Sequence, residues 1–406
     1  MLSTQAIMIG GVTVKKLLAT VLALALCLSL PAGCSQPAQQ TSQPSQSPRT
    51  SQAAAEEPYY VAIVAPFTGD NAMYGEFIYH GVMTKVNQVN EAGGINGRKI
   101  VVDQYDDKGD STESATIAQK ICDENKYLFV FSSFASGASI SSGEVYRKNN
   151  MLHFVPTASH ANCSVAGGTS WAMSLQADIE YYLLGKALVE DLSGKKIALI
   201  HLNADNGFII RDAVVKGVEE AGGEVVISES YINGQVRDFT SILTKVKAAD
   251  PDVVCMCVQY ADTSAMLIQR AQIGFDDSVI WCVNNDNFVD TFLTSAGEAA
   301  EGVYCESIWS CFSSDEDIVK FRARYNDMWD GEEPSPYSVQ PYEAMCMMVD
   351  ALEQGIDTTQ GLQDYMTELG YWDGETMAGE FGENQRLVRD RVYMHIVKDG
   401  VFEAVE

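Results

Sequence analysis

The chain has 406 residues, 46% of them hydrophobic, and its 55 acidic against 27 basic side chains give a net charge of −28. That charge repels nucleic acid and anionic lipid and excludes nucleic acid as a partner. The body that follows the N-terminal low-complexity stretch, on the order of 350 residues, exceeds one comfortable core and favours two lobes.

Lys15 and Lys16 precede an apolar run from Leu17 to Leu30, followed by Pro31-Ala-Gly-Cys34. A short basic region, an apolar run of this length and small residues before a cysteine form a secretory signal over residues 1–33. The cysteine after Ala-Gly resembles a bacterial lipobox, which makes Cys34 the lipidation site, carrying acyl chains such as palmitate. Pro31 stands where that motif usually has leucine, and Val14 would suit an alternative start. A transmembrane anchor is the competing reading, but the run is shorter than the ~20 residues a span needs. Residues 34–57, rich in Ser, Gln, Pro, Ala and Thr, cannot bury a core and form a flexible tether.

From Tyr59 the chain alternates β-rich runs with amphipathic helices. Strands are expected at Tyr60–Ala65, Lys99–Tyr105, Tyr127–Phe131 and Met151–Val155, with helices at Tyr74–Glu91, Ser111–Glu124 and Ser136–Asn149. A second series repeats the rhythm, with strands at Lys196–His201, Glu224–Ser228, Asp252–Val258, Ser278–Val283 and Gly302–Glu306. Its helices are expected at Ile209–Ala221, Asp238–Ala249 and Thr263–Ile273. Segment 309–380 is mainly helical, with Asp315–Trp329 and Pro341–Gly355 its clearest helices, and Arg389–Val397 returns to strand character. This order predicts an α/β protein with two doubly wound parallel-sheet lobes and a cleft between them. Ligands of such sheets sit at the carboxyl ends of the strands, so the loops after each strand hold the candidate site.

Cysteines 122, 163, 255, 257, 282, 305, 311 and 346 lie beyond the tether, and the 5 histidines are scattered. No metal-ligand spacing occurs among them, so buried free thiols are expected, with one or two disulfides as the alternative. Cys255 and Cys257 fall on one face of a strand. Glycines 93, 94 and 97 follow a helix and precede a strand, the wrong order for a phosphate loop, and form a helix end and turn. Asp106, Asp107 and Asp110 are expected as solvated acids at a strand end. Ser132, Ser133 and Ser136 stand after the third strand, with no Gly-x-Ser-x-Gly motif and no histidine at a triad spacing. Ser136 falls at a helix start, where free amides and the helix dipole favour an anion such as a carboxylate. It could equally serve as that helix's N-cap.

Ile63-Val-Ala-Pro-Phe-Thr-Gly with Tyr74-Gly, Asn90-Glu-Ala-Gly-Gly-Ile-Asn-Gly-Arg-Lys-Ile100 and Tyr105-Asp-Asp-Lys-Gly-Asp110 recur in register with Ala249-Asp-Pro-Asp-Val-Val254 and Gly297-Glu-Ala-Ala-Glu-Gly-Val-Tyr304. Over about residues 58–406 the chain resembles the leucine/isoleucine/valine-binding proteins, type I periplasmic substrate-binding proteins of ABC transporters. The resemblance implies two lobes joined by a three-strand hinge: residues 58–175 with 309–380, and 176–308 with 381–406. It implies that a ligand carboxylate meets Ser136, Ala158 and Ser159, with Tyr74 and Tyr260 as pocket aromatics. Two positions depart from the pattern: Asn206-Gly207 stands for Tyr-Gly, and Asn285 stands for the acid that meets an ammonium, with Asp286 adjacent. An amide leaves a buried ammonium uncompensated.

The expected function is therefore an extracytoplasmic, lipid-anchored solute-binding protein, with no cofactor or metal, monomeric, serving ABC permease subunits. Its ligand is expected to be a small carboxylate-bearing solute, an amino acid first, with amides or small aromatic acids as alternatives. A sensor for a separate signalling partner is the runner-up. A hydrolase would need His153, His160 or His201 as a base near the serines.

Overall fold

The computed structural model describes residues 57–405, so the signal sequence, Cys34 and the tether lie outside the described residues. The first series comprises β1 (Tyr59–Ala65), α1 (Ala72–Glu91), β2 (Ile100–Asp106), α2 (Ser111–Glu124), β3 (Tyr127–Phe131), α3 (Ser136–Lys148), β4 (His153–Val155) and β5 (Ser170–Ala172). These strands pair in the order β2-β1-β3-β4-β5, all parallel. After α4 (Ala177–Glu190) the second series runs β6 (Lys196–Leu202), α5 (Asp205–Glu220), β7 (Glu224–Tyr231), α6 (Thr240–Ala248), β8 (Val253–Cys257), α7 (Tyr260–Ile273), β9 (Ile280–Val283), α8 (Asp290–Ala296) and β10 (Tyr304–Ser307).

Three helices follow, α9 (Glu316–Met328), α10 (Pro336–Glu353) and α11 (Thr359–Glu368), then β11 (Tyr371–Asp373), β12 (Ala378–Phe381), β13 (Leu387–Val388), β14 (Tyr393–Lys398) and β15 (Val401–Ala404). The second sheet has the order β15-β14-β10-β9-β8-β6-β7, and β11-β12-β13 form a small separate sheet. The parallel core of the second sheet closes on an antiparallel edge, since β14 runs against β10 and β15 against β14. The chain thus crosses between the sheets after β5, after β10 and before β14.

Buried strand residues explain the parallel sheets. Val61 to Ala65 and Ile197 to Ile200 are fully buried, as strands covered by helices on both faces must be. Each series reverses its strand order beside its first strand, between β1 and β3 and between β6 and β8. That is where a crevice opens at the carboxyl ends.

Several local expectations change. Asp107 is fully buried rather than solvated and accepts the Gly109 N–H at 2.9 Å, because its loop folds under the β1 end, where Asp107 N–H also bonds Ala65 O. Asp106 holds Phe67 N–H at 2.9 Å, and Asp110 caps α2 through the Thr112 and Glu113 amides, each at 2.9 Å. The helix expected from Pro341 starts earlier, at Pro336, whose fixed φ suits a first helical position. The eight described cysteines beyond the tether are free thiols, and Cys255 and Cys257 share a strand face with sulfurs 3.6 Å apart.

His153 on β4 is buried against Tyr146, and neither ring nitrogen has a hydrogen-bond partner among the described residues. Burial pushes its pKa down from 6.5 to about 4. The unfolded chain therefore takes up this proton first, and stability is lost as pH falls from about 6.5 to 4, by up to about 3 kcal/mol. Replacing His153 with Phe should flatten the fall in melting temperature over that interval, measured by circular dichroism. His395, also lowered to about 4, keeps a residual slope in that variant.

Candidate functional site

A cavity of about 260 Å³ opens between the carboxyl ends of the two sheets. The β3–α3 turn brings Phe134 and Ser136 to it, the segment after β4 brings Thr157, Ala158 and Ser159, and Ser174 follows β5. From the other side come Asn206 and Gly207 at the start of α5, Gln259 after β8, and Asn285 and Asp286 after β9. Helices close the remainder, α4 with Glu180 and Tyr181 and α10 with Tyr337 and Gln340.

Ser136 is not an N-cap: the cap is Ala135, and Ser136 is the first helical residue. Its hydroxyl is left for the cavity, beside helix-start amides that lack intrahelical acceptors. Ser132 and Ser139 turn inward instead, Ser132 donating to Phe154 O at 3.0 Å and Ser139 to Ser133 O at 2.7 Å. The Ala158–Ser159 turn is pinned through its carbonyls. Ser174 Oγ donates to Ala158 O at 2.9 Å, Arg386 Nη1 to the same oxygen at 3.2 Å, and Ala177 N–H to Ser159 O at 3.0 Å.

Asn206 Oδ1 is buried in the wall without a partner among the described residues. Asn285 is locked in place: its Oδ1 accepts from Ser307 Oγ at 3.2 Å and Ile308 N–H at 3.3 Å, and its own N–H goes to Glu306 at 3.0 Å. An amide suits this position, because an acid there would face the Glu306 carboxylate and lose the bond that Asn285 Nδ2 donates to the Tyr337 hydroxyl at 3.4 Å. The half-buried Asp286 accepts the Tyr337 hydroxyl across the cleft, and burial raises its pKa from the ordinary value. Tyr74 lies one layer back, 1% exposed, stacked on Phe134 at 3.9 Å and edge-on to Tyr337 at 4.9 Å. Tyr260 begins α7 and does not line the cavity; its neighbour Gln259 does.

Glu180, Tyr181, Tyr337 and Gln340 escaped a reading confined to strand-end loops. Glu180 did leave a signal, an acid one helical turn from Leu184 on the buried stripe of α4. None of the cavity-lining residues is basic. A bound carboxylate must therefore be met by hydroxyls and amides. Two of the three candidate histidines are engaged elsewhere, His160 Nδ1 accepting Asn162 N–H at 3.1 Å and His201 Nδ1 lying 2.9 Å from Leu202 O, and His153 is buried against Tyr146. None is hydrogen-bonded to Ser132, Ser133 or Ser136, so no nucleophile and base are assembled.

Two sheets of this order with a polar cavity between their carboxyl ends define a two-lobed binding protein. The periplasmic binding protein family profile matches residues 58–400, and the chain belongs to that family. A Leu/Ile/Val-binding protein homologue of Brucella abortus is 28% identical over 333 residues, covering 80% of this chain and 86% of its own. An amino acid binding protein of Pseudomonas aeruginosa is 25% identical over 300 residues, covering 70% and 75%. The branched-chain amino acid transporter substrate-binding protein of Streptococcus pneumoniae, solved with isoleucine, superposes with TM-score 0.75 at 23% identity, over 86% of this chain and 98% of its own. The family is one of binding proteins rather than enzymes, and membership implies an extracytoplasmic location.

Proposed function

We propose that the protein is the solute-binding component of an ABC importer, capturing an amino acid with an aliphatic side chain between its two sheet-centred halves. The observation that carries this is convergence: Ser136, Ala158, Ser159, Asn206, Asn285 and Asp286, drawn from loops far apart in sequence, line one cavity. Neutral donors at Ser136 and the Ala158–Ser159 turn receive the carboxylate, and Tyr74 braces Phe134 from behind. The Tyr337–Asp286 contact is one of the links made when the halves, residues 58–175 with 309–380 and 176–308 with 381–406, close on ligand. The monomer is held at the membrane through Cys34 and the tether and hands its cargo to two permease subunits. The likeness to Leu/Ile/Val-binding proteins and to a substrate-binding protein solved with isoleucine supports this reading.

Calorimetry with L-leucine, L-isoleucine and L-valine tests it. At least one should bind, and Ser136→Ala should weaken that binding by about 1–3 kcal/mol, roughly 5- to 150-fold. Binding of benzoate or a carboxamide with none of the amino acids would replace the assignment. An unchanged affinity in Ser136→Ala would remove Ser136 as the carboxylate anchor.

A further inference from the structure

Glu180 projects from the first turns of α4 into the cavity, is 4% exposed, and its carboxyl takes part in no hydrogen bond among the described residues. Leaving a buried acid unpaired is costly, so in an empty cavity it is held neutral or awaits a partner. The surrounding charges favour the neutral form. Asp286 faces it from the turn after β9 and Glu306 from β10, with one Glu306 oxygen buried and unpartnered. On its own helix lie Asp178 and the Tyr181 hydroxyl, and Tyr337 stands across the cavity on α10. Arg386 and Arg389, near β13, oppose the acids, but their guanidinium groups donate to carbonyls, Arg386 to Ser174 O at 2.9 Å and Arg389 to Ile308 O at 2.8 Å. Burial, then the Asp286 charge, push the Glu180 pKa upward despite the two arginines. Gln340 Nε2 and Thr157 Oγ1 are likewise buried, in the cavity wall and without partners, so the wall is built for a polar occupant.

We propose that Glu180, with Asp286 beside it, receives the positively charged nitrogen of the ligand, and that it is protonated in the empty cavity and loses that proton to solvent as the nitrogen docks. The inference rests on the amino-acid reading above and adds to it the acceptor and a linked proton. The ligand keeps its own charge; the only bond broken is the O–H of Glu180, and the proton leaves to the buffer.

The test is calorimetry of L-leucine and its des-amino analogue 4-methylpentanoate in phosphate and in Tris at about pH 7, where buffers of different ionisation heat report protons released. Leucine is expected to bind with a buffer-dependent heat corresponding to a substantial fraction of one proton, and its affinity should rise between about pH 6 and 8. The analogue should bind at least about tenfold more weakly and release no proton. In Glu180→Gln the proton release should disappear and leucine should weaken about tenfold or more, while 4-methylpentanoate is unaffected or tightened. Leucine binding without buffer-dependent heat overturns the linked proton and leaves the amino-acid reading intact. Tighter binding of the analogue than of leucine overturns the acceptor role but not the carboxylate site, and binding of neither overturns both. The native-protein heats decide the linkage even if the variant misfolds.

Discussion

Replacing Arg386 with methionine is expected to lower the melting temperature by several degrees and to weaken ligand binding with it. Arg386 is 2% exposed, and its guanidinium donates to Ser174 O at 2.9 Å, Ser174 Oγ at 2.9 Å, His160 O at 3.0 Å and Ala158 O at 3.2 Å. One side chain from the β12–β13 hairpin thereby ties the Ala158–Ser159 turn to the crossover that follows β5. Methionine keeps the apolar stem but leaves those acceptors short of donors, at about 1–3 kcal/mol for each group left unsatisfied. The loss reaches about 3 kcal/mol or more even if the turn relaxes onto water. Because the turn lines the cavity, calorimetric affinity should fall along with the melting temperature. A variant that melts and binds like the native protein would show that the turn holds its shape without the arginine.

Gly81→Leu is expected to do comparable damage by a different route. A Cβ at Gly81 on α1 would lie 2.0 Å from Ser338 O and 2.9 Å from Pro341 Cγ on α10. Backbone sits at the first of these contacts, so one helix must move. Overpacking of this kind costs about 1–3 kcal/mol and occasionally more, outweighing the roughly 1 kcal/mol a non-glycine residue gains in a helix. The moving element carries Tyr337 and Gln340 into the cavity, so the expected result is a lower melting temperature together with lost affinity. Retained affinity in a destabilised variant would mean that α1 yields and α10 stays.

Much of this was legible along the chain. Alternating apolar runs and helical stripes marked most strands and helices of both sheets, because the period of burial in each element is local, while β5, α4, α8 and β15 went unmarked. The strand-end rule then led to the loops, and the family resemblance picked out Ser136, Ala158, Ser159, Asn206, Asn285 and Asp286 within them, which meet in the cavity. Tyr260 shows the limit, since a shift of one residue along the β8–α7 turn presents Gln259 to the cavity instead. Asp107 shows another: its acid type predicts solvent, yet the fold of its loop buries it.

By itself, then, the sequence determined the α/β rhythm, the two-lobed order and the loops that line the cavity, all set by neighbours within a few residues. Only the tertiary structure decided that Glu180 on α4 and Tyr337 and Gln340 on α10 complete it. Those helices reach the cavity because they are crossovers packed against the two sheets, and which end of a packed helix faces a cleft depends on contacts hundreds of residues apart in the chain, such as Tyr337 with Tyr74.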